Sequence, residues 1–170
     1  MKQSGKLFFF CGKMAAGKST LAREIARRED AVLMVQDELM LKLFPGEVVD
    51  IPSFVKYSSR LRDALAAHIC SLLSKGISVV LDFPGNTKTQ RAWFRELFEN
   101  ANAAHELHYI DVTDELCKLQ LRERSKELAQ GFAFTSDAEF DALTKHFQVP
   151  SPDENFNVIR YQRSRRGQSR

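Results

Sequence analysis

The nine residues Gly12–Thr20 constrain the fold of this chain more than any other segment. They read Gly-Lys-Met-Ala-Ala-Gly-Lys-Ser-Thr and match the pattern G-x-x-x-x-G-K-[ST]. Glycines at positions 12 and 17 let the backbone wrap tightly, so that successive N–H groups point at one anion. The pattern requires a strand before it and a helix after it, because the positive end of that helix faces the same anion. The segment therefore predicts an α/β protein that binds phosphate groups.

The flanking sequence supplies both elements. Leu7–Cys11 is a continuous apolar run, typical of a strand buried on both faces, and Ser19–Arg28 has a helical pattern. In this context we interpret the segment as a P-loop. Lys18 would reach the β- and γ-phosphates, and the Ser19 hydroxyl would bind Mg²⁺. The residues expected to hold the nucleotide are Gly12, Lys13, Met14, Ala15, Ala16, Gly17, Lys18, Ser19 and Thr20.

Apolar runs alternate with helical patterns along the rest of the chain. Further strands are expected at Ala31–Val35, Ile77–Leu81, Leu107–Val112 and Asn157–Tyr161. Helices are expected at Glu38–Phe44, along Phe54, Leu61, Leu65, Ile69 and Leu72 up to Gly76, around Trp93–Phe98, over 114–128, and from a Ser136 cap to Phe147. Such alternation builds a parallel sheet with helices on both faces, and ligands bind such sheets at the carboxyl ends of the strands.

Charge and composition limit the possible partners. The chain has 170 residues, of which 44% are hydrophobic, and a net charge of +3, which fits a single packed domain. Five arginines lie in residues 160–170, and without them 20 basic residues face 22 acidic ones. We expect one domain over 1–161 and a basic tail over 162–170, which is either solvated or binds RNA or another polyanion. No apolar run is long enough to span a bilayer, and we expect a cytoplasmic protein. The oligomeric state is not predicted.

Two carboxylates follow predicted strands. Asp82 ends the third strand and would hold Mg²⁺ together with Ser19; the alternative is an acid that starts the turn Phe83–Asn86. Asp37 ends the second strand and would take the proton of an acceptor hydroxyl; the alternative is an N-cap for the helix that follows.

Three arginines are candidates for stabilising a transferred phosphoryl group. Arg122 and Arg124 lie in the predicted helix 114–128, and because they are two residues apart at most one is expected to face phosphate unless the helix unwinds. Arg91 lies beyond the Asp82 turn, where it would contact acceptor or phosphate or be an exposed helix residue. The guanine-selecting pattern Asn-Lys-x-Asp is missing from the sequence, so ATP is the expected nucleotide.

These residues together resemble the predicted kinases of the AAA_33 group, which is related to polynucleotide kinase, zeta-type toxins and chloramphenicol phosphotransferase. The resemblance runs from Leu7 to about Tyr161. It rests on the P-loop, Asp37-Glu38, the signature Asp82-Phe83-Pro84-Gly85-Asn86, the stretch Cys117–Arg124, and the segment Phe147–Val158. It implies a P-loop NTPase fold with a five-stranded parallel sheet, an arginine-bearing lid, and Asp37 as the base.

The expected function is therefore ATP-dependent phosphorylation of a hydroxyl on a small molecule, with Mg²⁺. Two alternatives stay open. One is a polynucleotide 5′-hydroxyl kinase that uses the basic tail and Arg91, and the other is an ATP-binding switch without a phosphoacceptor. Within the kinase class, a toxin that phosphorylates a cell-wall precursor is also possible.

Overall fold

The computed structural model describes residues 3–127 and 136–163. The chain forms, in order, strand β1 Lys6–Cys11, helix α1 Lys18–Arg28, β2 Val32–Val35, α2 Gln36–Leu43, α3 Ile51–Ser74, β3 Val79–Asp82, α4 Lys88–Asn100, β4 Ala104–Val112, α5 Asp114–Glu127, α6 Asp137–Thr144 and β5 Val158–Arg163. A single 3₁₀ turn, Pro152–Glu154, precedes β5.

The five strands form one sheet in the order β2-β3-β1-β4-β5, and every neighbouring pair is parallel. This confirms the α/β fold class and the five-stranded parallel sheet. Alternate residues of β1 point to opposite faces, and Leu7–Cys11 are all buried. Phe9 packs in one core with α3 and α4, and Phe8 and Phe10 pack in the other with α1 and α5. Burial on both faces explains why β1 is a continuous apolar run.

The predicted elements are confirmed, with shifted ends. β3 begins at Val79 rather than Ile77, and β5 extends to Arg163 rather than ending at Tyr161. Ser136 caps α6 through a capping box with Glu139, as the sequence predicts. The last residues of the predicted basic tail, 164–170, lie outside the described residues. In the described part of the chain, no helix combines the length and hydropathy needed to cross a membrane.

Candidate active site

The loop between β1 and α1 has the backbone of an anion-binding nest. Ala15 and Gly17 have φ of 61° and 105°, so left-handed residues interrupt the right-handed backbone and turn amide groups inward. A Cβ at Gly12 would lie 3.2 Å from the Ile110 carbonyl oxygen and 3.4 Å from the Cβ of Ala16. The glycine therefore lets the loop lie close to β4.

The ammonium of Lys18 lies over this loop. Its Nζ donates to the carbonyl oxygen of Gly12 and, at 3.2 Å, to that of Lys13. Burial lowers the pKa of Lys18, while Cys11, Asp82 and Asp37 act in the opposite direction. Lys13 itself extends to Asp114, 2.5 Å away, so the two lysines of the loop point to different partners.

Ser19 and Asp82 meet at the start of α1. The Ser19 Oγ donates to the Asp82 Oδ2 at 2.7 Å. They meet because β1 and β3 are neighbours in the sheet, so that their carboxyl ends lie side by side. A hydroxyl beside a carboxylate is an oxygen donor pair that suits Mg²⁺, which usually takes one or two protein ligands and completes its shell with phosphate and water.

Asp37 lies in the first turn of α2, next to these groups. The helix begins at Gln36 and its N-cap is Val35, so the interpretation of Asp37 as an N-cap is wrong. Burial raises the pKa of Asp37 and the Asp82 carboxylate adds to the effect, whereas Lys18 and Arg124 oppose it. Asp37 is nevertheless exposed to solvent. Two acids and two cations thus act on one another at a single edge of the sheet.

The structure separates the two arginines of α5. Arg122 donates to the Asp137 Oδ2 at 2.5 Å and so links α5 to α6. Arg124 is exposed and is close enough to Asp37 to influence its pKa. Of this pair, Arg124 is the one that the fold brings toward Asp37.

Arg91 is neither exposed nor directed at an open site, which corrects both expectations for it. It is fully buried, and its Nε and Nη2 donate to the two carboxylate oxygens of Glu154 at 2.9 and 3.1 Å. Its Nη1 donates to the Gly85 carbonyl oxygen at 2.9 Å and lies 3.7 Å from the Cys11 sulfur. The guanidinium therefore joins the Asp82 turn to the segment before β5, and its role is to stabilise that turn.

Sequence reasoning missed two residues beside the P-loop. Asn86 accepts a hydrogen bond from the Gly12 amide at 3.0 Å and thereby fixes the start of the loop. Arg163 is the last residue of β5, and its Nη1 lies 3.2 Å from where a Cβ of Gly17 would be. The signature ending in Asn86 carried a signal for the first. No sequence signal pointed to Arg163, because it is one of several arginines in the C-terminal tail.

Solved structures of kinases share this fold. A candidate kinase from Chloroflexus aurantiacus is 15% identical, with a TM-score of 0.73 over 94% of this chain and 89% of that one. The APS kinase CysC of Mycobacterium tuberculosis, in complex with AMPPNP and APS, is 20% identical, with a TM-score of 0.61 over 94% and 89%. The Pnkp1/Rnl/Hen1 RNA repair complex is 19% identical, with a TM-score of 0.62 over 87% of this chain and 48% of that one.

No curated protein sequence matches the chain. The model of one family does, and it covers residues 7–150, from the first strand past the last helix of the described residues. Its description is an AAA domain, and the solved structures above share the fold of this chain. The chain therefore belongs to the AAA_33 family and has the fold of the P-loop kinases.

Proposed function

We propose that this protein transfers the γ-phosphoryl group of ATP to a hydroxyl of a small molecule. The observation that carries the proposal is the position of Asp37 beside the Ser19–Asp82 pair. Burial and Asp82 raise the pKa of Asp37, whereas Lys18 and Arg124 lower it. A loop that only binds nucleotide has no need of a second carboxylate held close to the first, since like charges repel.

Bound Mg²⁺–ATP supplies the γ-phosphoryl group, which passes to the acceptor oxygen as the bond to the ADP oxygen breaks. Backbone amides of the loop after Gly12 and the Lys18 ammonium would bind the phosphates, and Ser19 and Asp82 would hold the ion. Asp37 orients the acceptor hydroxyl and takes its proton. Arg124 places positive charge where negative charge develops. The same proposal places the protein in the cytoplasm, where ATP is available.

The solved structures bear on the chemical class of the acceptor. The APS kinase and a gluconokinase from Sinorhizobium meliloti, which is 13% identical with a TM-score of 0.58, are named for small molecules. The RNA repair complex supports the second candidate, a polynucleotide 5′-hydroxyl kinase. We favour a small-molecule acceptor, because without the five arginines at 160–170 the chain has more acidic than basic residues and lacks the broad positive charge that nucleic acids require.

The test is transfer of label from γ-labelled ATP, with Mg²⁺, into a bacterial metabolite extract and separately into 5′-hydroxyl RNA and DNA. Wild type is compared with Asp37→Asn. We expect a labelled small molecule that falls at least about a hundredfold with the variant, as loss of a general base predicts. Glu96→Gln, an exposed acid on α4, is the control and should transfer normally.

Other outcomes decide between the candidates. Label in RNA or DNA rather than in metabolites would establish the polynucleotide kinase. Slow phosphate release to water, equal in wild type and Asp37→Asn, would support a nucleotide-dependent switch and contradict the kinase.

A further inference from the structure

Arg62 on α3 carries a guanidinium that has no counter-ion among the described side chains. Its Cζ lies 6.0 Å from the centre of the Trp93 ring, and the residue is only partly exposed. Within residues 3–124 and 136–163, no carboxylate lies within the 4.0 Å of an ion pair with Arg62. Burial lowers the pKa of Arg62, and the nearby Asp63 opposes this only in part. A half-buried guanidinium on an aromatic plane is a common way of holding an anion.

Trp93, the ring that Arg62 contacts, is connected through Phe83 to Asp82, the proposed metal ligand. Trp93 stacks on Phe83, with ring centres 5.6 Å apart and an interplanar angle of 17°. Phe83 follows Asp82 directly, at the carboxyl end of β3. Since α3 contacts both β3 and α4, Arg62 borders the carboxyl edge of the sheet on the face opposite α1.

A second polar group on this face has no partner. Gln36 is fully buried, and both atoms of its side-chain amide lack a hydrogen bond, unlike those of any other described buried side chain. Leaving a buried amide unpaired costs about 1–3 kcal/mol. Gln36 follows Val35, which pairs with Asp82, so Gln36 and Phe83 leave their strands side by side. Met34 and Met40, two residues before and four after Gln36, pack in the same core as Phe83 and Trp93.

We propose that the phosphoacceptor is an anion, whose carboxylate or phosphate group binds Arg62 over Trp93 while Gln36 hydrogen-bonds to another polar group of the acceptor. The inference rests on the proposed function, since it names the acceptor class of the same site. Arg62 and Gln36 are specificity residues. Gln36 directly precedes Asp37 in the chain, so an acceptor held by Gln36 and Arg62 would present its hydroxyl near Asp37.

Trp93 makes the site directly observable, because it is the only tryptophan of the chain. A bacterial metabolite extract is split on an anion-exchange resin into an anionic and a non-anionic fraction. Each fraction is titrated into protein saturated with Mg²⁺–AMPPNP, so that nucleotides in the extract do not interfere, and Trp93 emission is followed. Transfer from γ-labelled ATP into each fraction is measured in parallel.

The variants are Arg62→Met, Arg62→Lys and a matched control, Arg60→Met, which removes a guanidinium lying 5.7 Å from the Tyr57 ring on the same helix. We expect a saturable emission change and transfer with the anionic fraction alone. Arg62→Met should weaken the response about tenfold or more, the value of a charged hydrogen bond. Arg62→Lys should retain part of it, and Arg60→Met all of it. Circular dichroism confirms that each variant is folded.

Gln36→Leu separates a ligand from a packing defect. It should raise the melting temperature, because the unpaired amide is removed, and weaken the response to the anionic fraction. Treatment of that fraction with alkaline phosphatase distinguishes the two anions: the response survives for a carboxylate and is lost for a phosphate.

Three results would overturn the anionic acceptor: a response to the non-anionic fraction, an equal response of Arg62→Met, or no saturable response to either fraction. Transfer that does not depend on Arg62 would leave the kinase standing and remove this inference. A Trp93 response that depends on Arg62 without any transfer would establish an anion site at Arg62, but it would contradict the kinase and with it the role of that anion as phosphoacceptor.

Discussion

At the scale of single residues, Arg91 shows how burial changes the meaning of a charge. Its position after the Asp82 turn predicts either a ligand for phosphate or acceptor or an exposed helix residue, but its guanidinium is fully buried and paired with Glu154. Burial alone raises the pKa of Glu154, but the hydrogen bonds from Arg91 and the Ser151 amide outweigh it and leave the pKa below its usual value. The pair therefore contributes stability that is lost as the pH falls through the lowered pKa of Glu154.

Arg91→Met should lower the free energy of unfolding by about 3–5 kcal/mol, because it leaves a largely buried carboxylate without its cation. Urea unfolding at neutral pH measures this. The control Lys88→Met breaks an exposed pair with Asp153, 3.6 Å apart, and should cost less than about 0.5 kcal/mol. Adding Glu154→Gln to Arg91→Met should recover part of the loss; an equal or larger loss in the double variant would argue against a coupled pair.

Asp37 links stability to activity. Its pKa in the folded protein is raised by burial and by Asp82, so protonation adds stability at low pH that is lost as the pH rises through the raised value. Asp37→Asn should therefore raise the free energy of unfolding near neutral pH, by less than about 1 kcal/mol because solvent screens this exposed carboxylate. The gain should vanish in acid. In the wild type, the rate of transfer should fall as the pH drops through this pKa. A pH-independent gain from the variant would contradict the assignment.

At the scale of elements, the turn from Asp82 to Asn86 fastens the site to the sheet. A Cβ at Gly85 would lie 2.3 Å from the carbonyl oxygen of Phe10, so only glycine allows this close approach. The next residue, Asn86, accepts from the Gly12 amide. The signature Asp82–Asn86 therefore supplies the Asp82 carboxylate and also holds the backbone at the end of β1 in place. We call this second contact the clamp.

Gly85→Ala should lower the free energy of unfolding by about 1–3 kcal/mol through overpacking and should weaken the binding of AMPPNP, because Phe10 precedes the P-loop by two residues. The control is Gly46→Ala, where a Cβ meets nothing within 4 Å although φ is 74°. That substitution should cost about 1–2 kcal/mol from backbone strain and leave nucleotide affinity unchanged. Thermal unfolding and a fluorescent-nucleotide titration give both values. Equal affinities in the two variants would contradict the clamp.

Two arginines of helix α5 interact with different acidic residues. Arg122 pairs with Asp137 of α6, whereas Arg124 influences Asp37. Arg124→Met should reduce kcat about a hundredfold or more, the lower range for a transition-state donor, with little change in stability. Arg122→Met should affect stability by less than about 1 kcal/mol and kcat far less. Steady-state kinetics on the labelled acceptor compares them, and a larger kcat loss in Arg122→Met would reverse the assignment.

At the scale of the whole molecule, strand order assembles the site. β1 lies at the centre, with β3 and β2 on one side and β4 and β5 on the other. Because all the strands are parallel, their carboxyl ends share one edge. Asp82 and Asp37 reach that edge from one side of the P-loop, and Arg163 and α5 reach it from the other. Residues separated by up to 126 positions, Asp37 and Arg163, thus face one loop.

The sequence by itself determined the elements, the P-loop and the two carboxylates at or just beyond the ends of strands. These depend on local requirements: a period of burial, a left-handed turn, and a polar residue where a buried strand stops. Only the tertiary structure decided the tasks of the arginines. Arg91 and Glu154 are 63 residues apart in the sequence, Arg122 and Asp137 are 15 apart, and Arg62 contacts a ring of another helix. The role of a charged side chain depends on its partner and on its burial. Tertiary packing decides both, and the adjacent residues in the sequence do not reveal them.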